Sequence, residues 1–466
     1  MPELVWQGKY ESGVRRRPLL PIAELRTVEA GGASSSEPDA PTHGANQPNQ
    51  LIMGETQHAL PALLATLAGQ VNLIYIDPPF ATGLDFTSTV RIPGSARKVT
   101  RMVYHDSWPD LDSYLCWMDE TLTLLRDLLA EDGALLLHCD WRAEAMLRLL
   151  LDDIFGVENF RNAIVWSYRT GGASRHGSLA RKHDTILLYA RSPRFRIRAL
   201  TEQQYLGKPF MKSRRDAAGR PYAHTLLRDV LEGEIVSVGP DEALTPYNVR
   251  PVLNVARERL NYPTQKPLGL LRLLLTLASD PGDLVLDCCC GSGAMAHAAE
   301  TLGRRWIASD ASPLAIQTTR KRLLALAAPR PFVGQRAILE ETAVVADSRE
   351  DSADLKFAVE QSGATVTVRL TGYTPPSASI LTMDAPPDER AASQGLCYLD
   401  SWSVDWDWDG TIFRHSAYAA RVRTGARDLR AAFTHSYTAP GYYTLAIHAV
   451  DLAAHEMTRM VTVVVE

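Results

Sequence analysis

The sequence predicts an α/β fold, a mostly parallel sheet covered by helices on both faces, followed by a small antiparallel β-sandwich. Three observations carry that expectation. From Leu51 to about residue 330, short apolar runs alternate with stretches of helical periodicity. The strand-like runs are continuously apolar, as strands buried on both faces are. After about residue 330 the helical periodicity fades, and alternating, β-branched runs separated by turn-rich stretches replace it.

Taken in order, residues 31–49 (GGASSSEPDAPTHGANQPN) hold little to bury and read as a disordered linker. VNLIYID (71–77) is a buried strand. Residues 111–133 form a helix closed by Gly133, and ALLLHCD (134–140) forms the next strand. A helix over 141–156 and strands over 162–168 and 184–190 follow. After a polar, irregular region come a helix (267–279), a strand (283–288), a helix (293–303), a strand (305–310) and a helix (312–327). Strands are expected again at 364–370, 442–450 and 458–466.

At 466 residues the chain is long enough for two or three domains with full cores. An apolar share of 45% and a charged share of 22% are ordinary for a soluble globular protein. The net charge of -5 argues against a chain that is basic throughout, but nucleic-acid binding needs only a local basic patch. Six cysteines, three of them adjacent, do not make a secreted disulfide framework. The N-terminus lacks the pattern of a signal peptide and no run approaches a membrane span, so a cytoplasmic location is expected.

Two segments carry chemistry. In LIYIDPPFATG (73–83) an apolar strand stops at one carboxylate, Asp77, followed by two prolines and an aromatic ring. In DLVLDCCCGSGAMAHAAETLGRRWIASD (283–310) a strand, a glycine turn and a helix lead to a second strand ending in Asp310. Gly291 and Gly293 allow positive φ and a close backbone approach, and Asp310 lies where an acid could grip a ribose. On this segment alone, a tight turn without a ligand and a dinucleotide site stay open. The cysteines 288 to 290 project in divergent directions, so buried packing is a better reading than metal binding, and no metal site is expected.

Together, Asp77-Pro78-Pro79-Phe80 and the later Gly291-Ser292-Gly293 loop, with YPTQKP (262–267) just before it, resemble the β-class amino-group DNA methyltransferases, including type III modification subunits. The resemblance runs from about Leu51 to Leu326. It implies a Rossmann-like, S-adenosylmethionine-dependent methyltransferase fold with permuted motif order. By the same resemblance, Phe80 would stack on a flipped base. Asp77 and the Pro78 carbonyl would accept hydrogen bonds from its exocyclic amine, and Pro78 and Pro79 would stiffen the backbone. Asp287, Cys289, Gly291, Ser292, Gly293 and Asp310 would form the cofactor site, with Asp310 on the ribose hydroxyls. Lys266 would sit near the methionine carboxylate and Gly54 would open the upstream element Gly54-Glu55-Thr56. The family loop reads D-P-F-x-G-S-G-T; here Cys288 replaces the proline, Cys289 the phenylalanine and Ala294 the threonine.

An aspartate opening the tetrapeptide is typical of N6-adenine enzymes. The alternatives are N4-cytosine methylation and a non-catalytic DNA-binding or assembly subunit on the same fold. The segment 204–230 mixes Lys208, Lys212, Arg214, Arg215 and Arg220 with aromatic residues, where the β class places its target-recognition segment. Arg175, in the glycine-containing stretch 169–182, is a further DNA-contact candidate, and the basic segment 86–102 reads as a loop over the base. The C-terminal WSVDWDWDGTIFRH and HSYTAPGYYTLAIHAVD look like a polycystic-kidney-disease-type immunoglobulin-like domain, in which Asp405, Asp407 and Asp409 are expected to be turn carboxylates.

The expected layout is an N-terminal segment (1–50), a catalytic half (51–200), a target-recognition insert (201–260), a cofactor half (261–330) and a linker with β-sandwich (331–466). The expected partners are double-stranded DNA, a restriction or defence-system subunit and a second copy of the chain, with no membrane.

Overall fold

The computed structural model describes residues 4–11, 14, 15, 23–32, 48–169, 177, 179–209, 213–239, 241–254, 256–339, 353–376, 395–421 and 429–466. The greater part of the segment expected to be a linker, 31–49, lies outside them, as do Arg175 and Lys212.

An eleven-stranded sheet forms the body of the protein. Its strands run, across the sheet, 230–232, 160–167, 183–190, 129–139, 71–76, 284–287, 305–310, 49–53, 332–338, 24–31 and 413–414. The central six, from 129–139 to 332–338, are parallel. The strand 183–190 is antiparallel to both its neighbours, and 24–31 is antiparallel to 332–338 but parallel to 413–414. Helices cover both faces because each central strand is apolar on both sides. One core holds Leu73, Tyr75, Val285 and Trp306 under the helices Leu268–Ala278 and Ala294–Thr301. The other holds Ile74, Ile76 and Leu286 under Thr56–Leu67, Leu111–Leu128 and Glu144–Phe155. This is the α/β fold expected.

Three details differ from the sequence reading. The helix expected to reach Gly133 ends at Leu128, and a strand runs from Leu129 to Cys139. Leu129 pairs with Val71, so sheet pairing overrides the helix-favouring LLAED composition. The basic segment 86–102 is largely a hairpin, Leu84–Arg91 paired with Lys98–Asp106. The expected change of domain at residue 330 falls before a strand of the main sheet. Phe332–Ile338 pairs with Asn49–Met53 on one side and Glu24–Gly31 on the other.

The segment 201–248 makes a separate five-stranded antiparallel sheet. At the C-terminus, a three-stranded sheet (354–362, 365–374, 432–436) and a four-stranded sheet (399–405, 417–420, 441–451, 456–465) share one apolar core built on Trp402, Val404, Val366, Val368, Phe433 and Ile447. That is the β-sandwich expected. Its core also takes in Val90, Ile92 and Val99 from the hairpin tip. No helix among the described residues is long and apolar enough to cross a membrane.

Candidate active site

The strands Val71–Ile76 and Leu284–Asp287 are distant in sequence but adjacent and parallel in the sheet, with Leu73 opposite Val285 and Ile74 opposite Leu286. Asp77 and Asp287 therefore emerge side by side at the C-terminal edge of the sheet, where open α/β folds bind their ligands. Asp310 ends the next parallel strand.

The strand 71–76 stops where Pro78 and Pro79 remove two backbone donors. The chain then makes a tight turn around Asp106, a buried carboxylate from the far end of the hairpin. Its oxygens accept the backbone N–H of Phe80, Ala81 and Thr82 and the hydroxyl of Thr82, at 2.6 to 3.3 Å. Ala81 sits at φ +54°, a left-handed conformation that these bonds help to hold. From the other side, the Tyr114 hydroxyl donates to the Pro79 carbonyl at 3.1 Å. Asp106 is a residue that the sequence reading missed. Replacing it by Ala leaves three N–H groups and a hydroxyl without their acceptor. The expected loss is about 2–4 kcal/mol of unfolding free energy, read by urea denaturation.

Lys266 Nζ stands 2.5 Å from Asp77 Oδ2 and 5.7 Å from the centre of the Phe80 ring. Sequence reasoning places this lysine near a cofactor carboxylate; here its Nζ contacts the tetrapeptide from the cavity wall. Asp77 Oδ1 is buried and has no hydrogen-bond partner among the described residues. The Phe80 ring lies nearly parallel to the His138 ring, centroids 6.2 Å apart. Behind it, His138 contacts the Tyr75 hydroxyl at 3.0 Å and Asp184 at 3.3 Å.

Across the cleft, the Asp310 carboxylate accepts the N–H of Gly291 and of Ser312, each at 2.9 Å. Burial pushes its pKa up to about 6, with those two N–H groups pulling the other way. Asp287 accepts the Cys289 N–H at 3.2 Å. Burial, reinforced by the charges of Asp77 and Asp310, raises its pKa. Gly291 lies at φ +48°, and a Cβ there would come within 3.1 Å of the Tyr262 ring. Gly293, at φ +68°, faces Thr319, whose Oγ1 would be 2.5 Å from a Cβ. Gly54 lies against Ala337 of the neighbouring strand, and its N–H donates to the Asp310 carbonyl at 3.0 Å. Gly54 and Gly293 thus shape the backbone, whereas Asp287, Cys289, Gly291, Ser292, Asp310 and Lys266 reach the cavity wall. The cysteines diverge: Cys288 packs into one core with Cys289 against it, Cys290 packs into the other, and all three also line the cavity.

Asp77, Phe80, Lys266, Asp287, Gly291 and Asp310 border one cavity of about 690 Å³. It also carries Trp108 and Trp117, which the sequence reading did not single out. Trp108 Nε1 is buried without an acceptor among the described residues. The walls are acidic on balance, with Glu55, Asp77, Asp106, Asp287 and Asp310 facing Lys266.

The basic residues of the 201–248 sheet are exposed and partly engaged. Arg214 pairs with Glu242 at 2.8 Å, and Arg220 pairs with Asp216 while its guanidinium stacks on Tyr205 at 4.3 Å. Arg215 donates to the Gly219 carbonyl, and Lys208 is exposed. Near the catalytic edge, the half-exposed Trp141 lies between Arg142 and Arg181, whose guanidinium carbons are 4.9 and 3.5 Å from its ring centre. In the C-terminal module, Asp405 accepts the N–H of Asp407 and Arg414, and Asp409 caps Thr411 and pairs with Arg414. These carboxylates are therefore consumed by their own turn.

A family model described as DNA methylase matches residues 71–321, more than half of the chain. The chain belongs to the N6/N4 DNA methylase family. The family match spans both strands that carry Asp77 and Asp310, so the cavity between them lies at the heart of a DNA methyltransferase. The chain is 28% identical to the type II methyltransferase M.EcaI of Enterobacter cloacae over 330 residues, covering 60% of this chain and 71% of that protein. It is 34% identical to the HindVI type III modification subunit of Haemophilus influenzae over 131 residues, 28% of this chain and 15% of that subunit. Among solved structures, the M1.HpyAVI–SAM complex aligns over 59% of this chain and 99% of its own, at 17% identity and a TM-score of 0.38. The PKD1 domain of the Vibrio cholerae metalloprotease PrtV aligns over 25% of this chain and 98% of its own, at 18% identity and a TM-score of 0.15.

Proposed function

We propose that this DNA methyltransferase transfers a methyl group from S-adenosylmethionine to the exocyclic N6 of an adenine flipped out of double-stranded DNA. The observation that carries the reading is Asp77 Oδ1, a buried acceptor without a partner among the described residues, in the same cavity as Asp310 and Gly291. The cavity fits such a donor in volume and charge. At about 690 Å³ it lies within the usual range for small-molecule sites. Its acidic balance suits a ligand carrying a sulfonium and an ammonium. Asp310 would hold the ribose hydroxyls, and Gly291, Ser292 and Cys289 would line the methionine and adenosine portion.

When bound, S-adenosylmethionine supplies an electrophilic methyl carbon and leaves as S-adenosylhomocysteine. The chain's own groups prepare the nucleophile. An exocyclic amine is a poor nucleophile because its lone pair is delocalised into the ring. Asp77 Oδ1 and the Pro78 carbonyl accept hydrogen bonds from its two N–H groups and draw the nitrogen toward tetrahedral geometry; once the N–C bond forms, one of those protons is lost to solvent. Lys266 fixes the other Asp77 oxygen, and the Asp106 turn fixes the backbone, so both acceptors are preorganised. Phe80 stacks on the base. The unpaired acceptor at Asp77 and the unpaired donor at Trp108 complement the edge of a base that presents an amine beside a ring nitrogen. Adenine and cytosine both have that edge. The aspartate at position 77 favours adenine, and N4-cytosine is the alternative.

The test is transfer of labelled methyl from S-adenosylmethionine to duplex DNA, followed by identification of the modified base. N6-methyladenine is expected; N4-methylcytosine would replace the base assignment, and absence of transfer with every duplex tried would overturn the enzyme reading. The exposed Lys208 and Arg215 are proposed to meet DNA phosphates. Their joint change to Ala should weaken duplex binding about tenfold at low salt for any sequence, in a fluorescence anisotropy titration. The likeness to a type III modification subunit supports a restriction subunit as a partner.

A further inference from the structure

We propose that the turn Ala453-Ala454-His455 of the C-terminal β-sandwich is part of the methyl donor's site and closes its nucleoside end. The inference rests on the S-adenosylmethionine reading above and gives the sandwich a direct share in the catalytic unit.

The cavity wall is the first support. Ala453, Ala454 and His455 border the same cavity as Asp310, Ala311, Pro313 and Leu314. Ala454 packs on a small apolar cluster of Val103, Tyr262, Leu314 and Ala315. Tyr262 is also the ring that lies against Gly291. The turn therefore stands beside Leu314 and Ala315, in the segment that follows Asp310.

The turn is also a built feature. Asp451, buried at its base, accepts the N–H of Ala453 and of His455 through Oδ1 and contacts the His455 imidazole at 3.2 Å through Oδ2. The Tyr373 hydroxyl, from the opposite sheet of the sandwich, donates to the same Oδ2 at 2.9 Å. Ala454 is held at φ +71°, a conformation that an alanine rarely adopts without such constraints. The adjacent Leu452 carbonyl accepts from Arg101 of the hairpin at 2.6 Å.

Finally, the two modules are fastened by the helix that starts just after Asp310. On Pro313–Leu324, Gln317 and Lys321 bind Asp400 at 2.7 Å, and Arg320 pairs with both Glu29 and Glu456 at 2.7 and 3.0 Å. Glu456 follows His455 directly. The helix that follows Asp310 is thus tied to Asp400 and to Glu456, the residue next to the turn.

The experiment is calorimetric titration of the full chain with S-adenosylmethionine, and separately with adenosine. His455→Ala is expected to weaken both ligands about threefold to tenfold. Ala454→Trp, which fills the end of the cavity, should weaken them by at least about tenfold, and Tyr442→Ala, an exposed site elsewhere on the sandwich, should leave them unchanged. Thermal melting of each variant separates lost binding from lost fold; should Ala454→Trp fail to fold, His455→Ala decides. Wild-type affinity for S-adenosylmethionine with unchanged affinity in the folded variants overturns the inference. Absence of binding by the wild type overturns instead the cofactor reading on which it rests.

Discussion

Asp77→Ala is expected to lower methyl transfer by about three orders of magnitude, the scale on which removal of a preorganised electrostatic group acts, while S-adenosylmethionine affinity changes little. The separation follows from the position of the carboxylate. On the proposed reading Asp77 would touch the base's amine, whereas Asp310, across the cleft, would grip the donor. One complication is built into the site: Lys266 is buried, and removing Asp77 leaves its ammonium without the carboxylate it contacts. Asp77→Ala alone therefore mixes a lost acceptor with a misplaced lysine. Two further variants separate them. Asp77→Asn keeps an acceptor oxygen of the same shape and should retain more activity than Ala. The double variant Asp77→Ala/Lys266→Ala removes both charges; recovery of fold stability without recovery of transfer would place the chemistry on Asp77, through a double-mutant cycle. Asp77→Ala retaining a tenth or more of wild-type transfer would sink the assignment.

The residues involved show what the sequence could and could not reveal. The tetrapeptide and the glycine loop are local signals: an apolar strand, a sharp stop and a chemistry-bearing residue within a few positions. Their adjacency in space followed only from the resemblance, because sequence alone does not say that strand 284–287 lies beside strand 71–76. Asp106 was invisible for a different reason. It acts on Phe80, Ala81 and Thr82 across a hairpin, and the sequence HDSWPD around it has no pattern that marks a capping carboxylate. The hairpin itself was hidden by its basic residues, which suggested a loop, although Val90, Ile92 and Val99 are buried in the sandwich core. The strand 332–338 was lost because the sheet it completes is built mainly from segments far earlier in the chain, and the helix ending at Leu128 was overrun for the same reason. Long-range pairing decided both where these segments ended and, for the hairpin and the strand 332–338, what they became.

On the proposed reading, Asp310→Ala should weaken S-adenosylmethionine binding by about 100-fold to 10,000-fold, since two charge-assisted hydrogen bonds to ribose hydroxyls would contribute roughly 1.5–3 kcal/mol each. The same substitution also frees the N–H groups of Gly291 and Ser312, so some loss of stability accompanies it. A measurement without mutation isolates the charge. Burial raises the Asp310 pKa to about 6 in the ligand-free protein. A folded-state pKa above the ordinary carboxylate value means that this group favours folding below its unfolded pKa and that the favour is lost as pH rises through about 6. Near neutral pH the acid is therefore held ionised at a cost to the fold, and the ligand that needs it ionised recovers part of that cost. Donor affinity should be level above about pH 6 and fall as the pH drops below it, approaching tenfold per unit until the pKa of the bound state is reached. Calorimetry between pH 5 and pH 8 reads the profile directly. A profile that is flat through pH 6 in the wild type, or one that keeps its bend in Asp310→Ala, would take the ribose contact away from this residue and leave Glu55 and Asp287, the other acids of that wall, to be tried in its place.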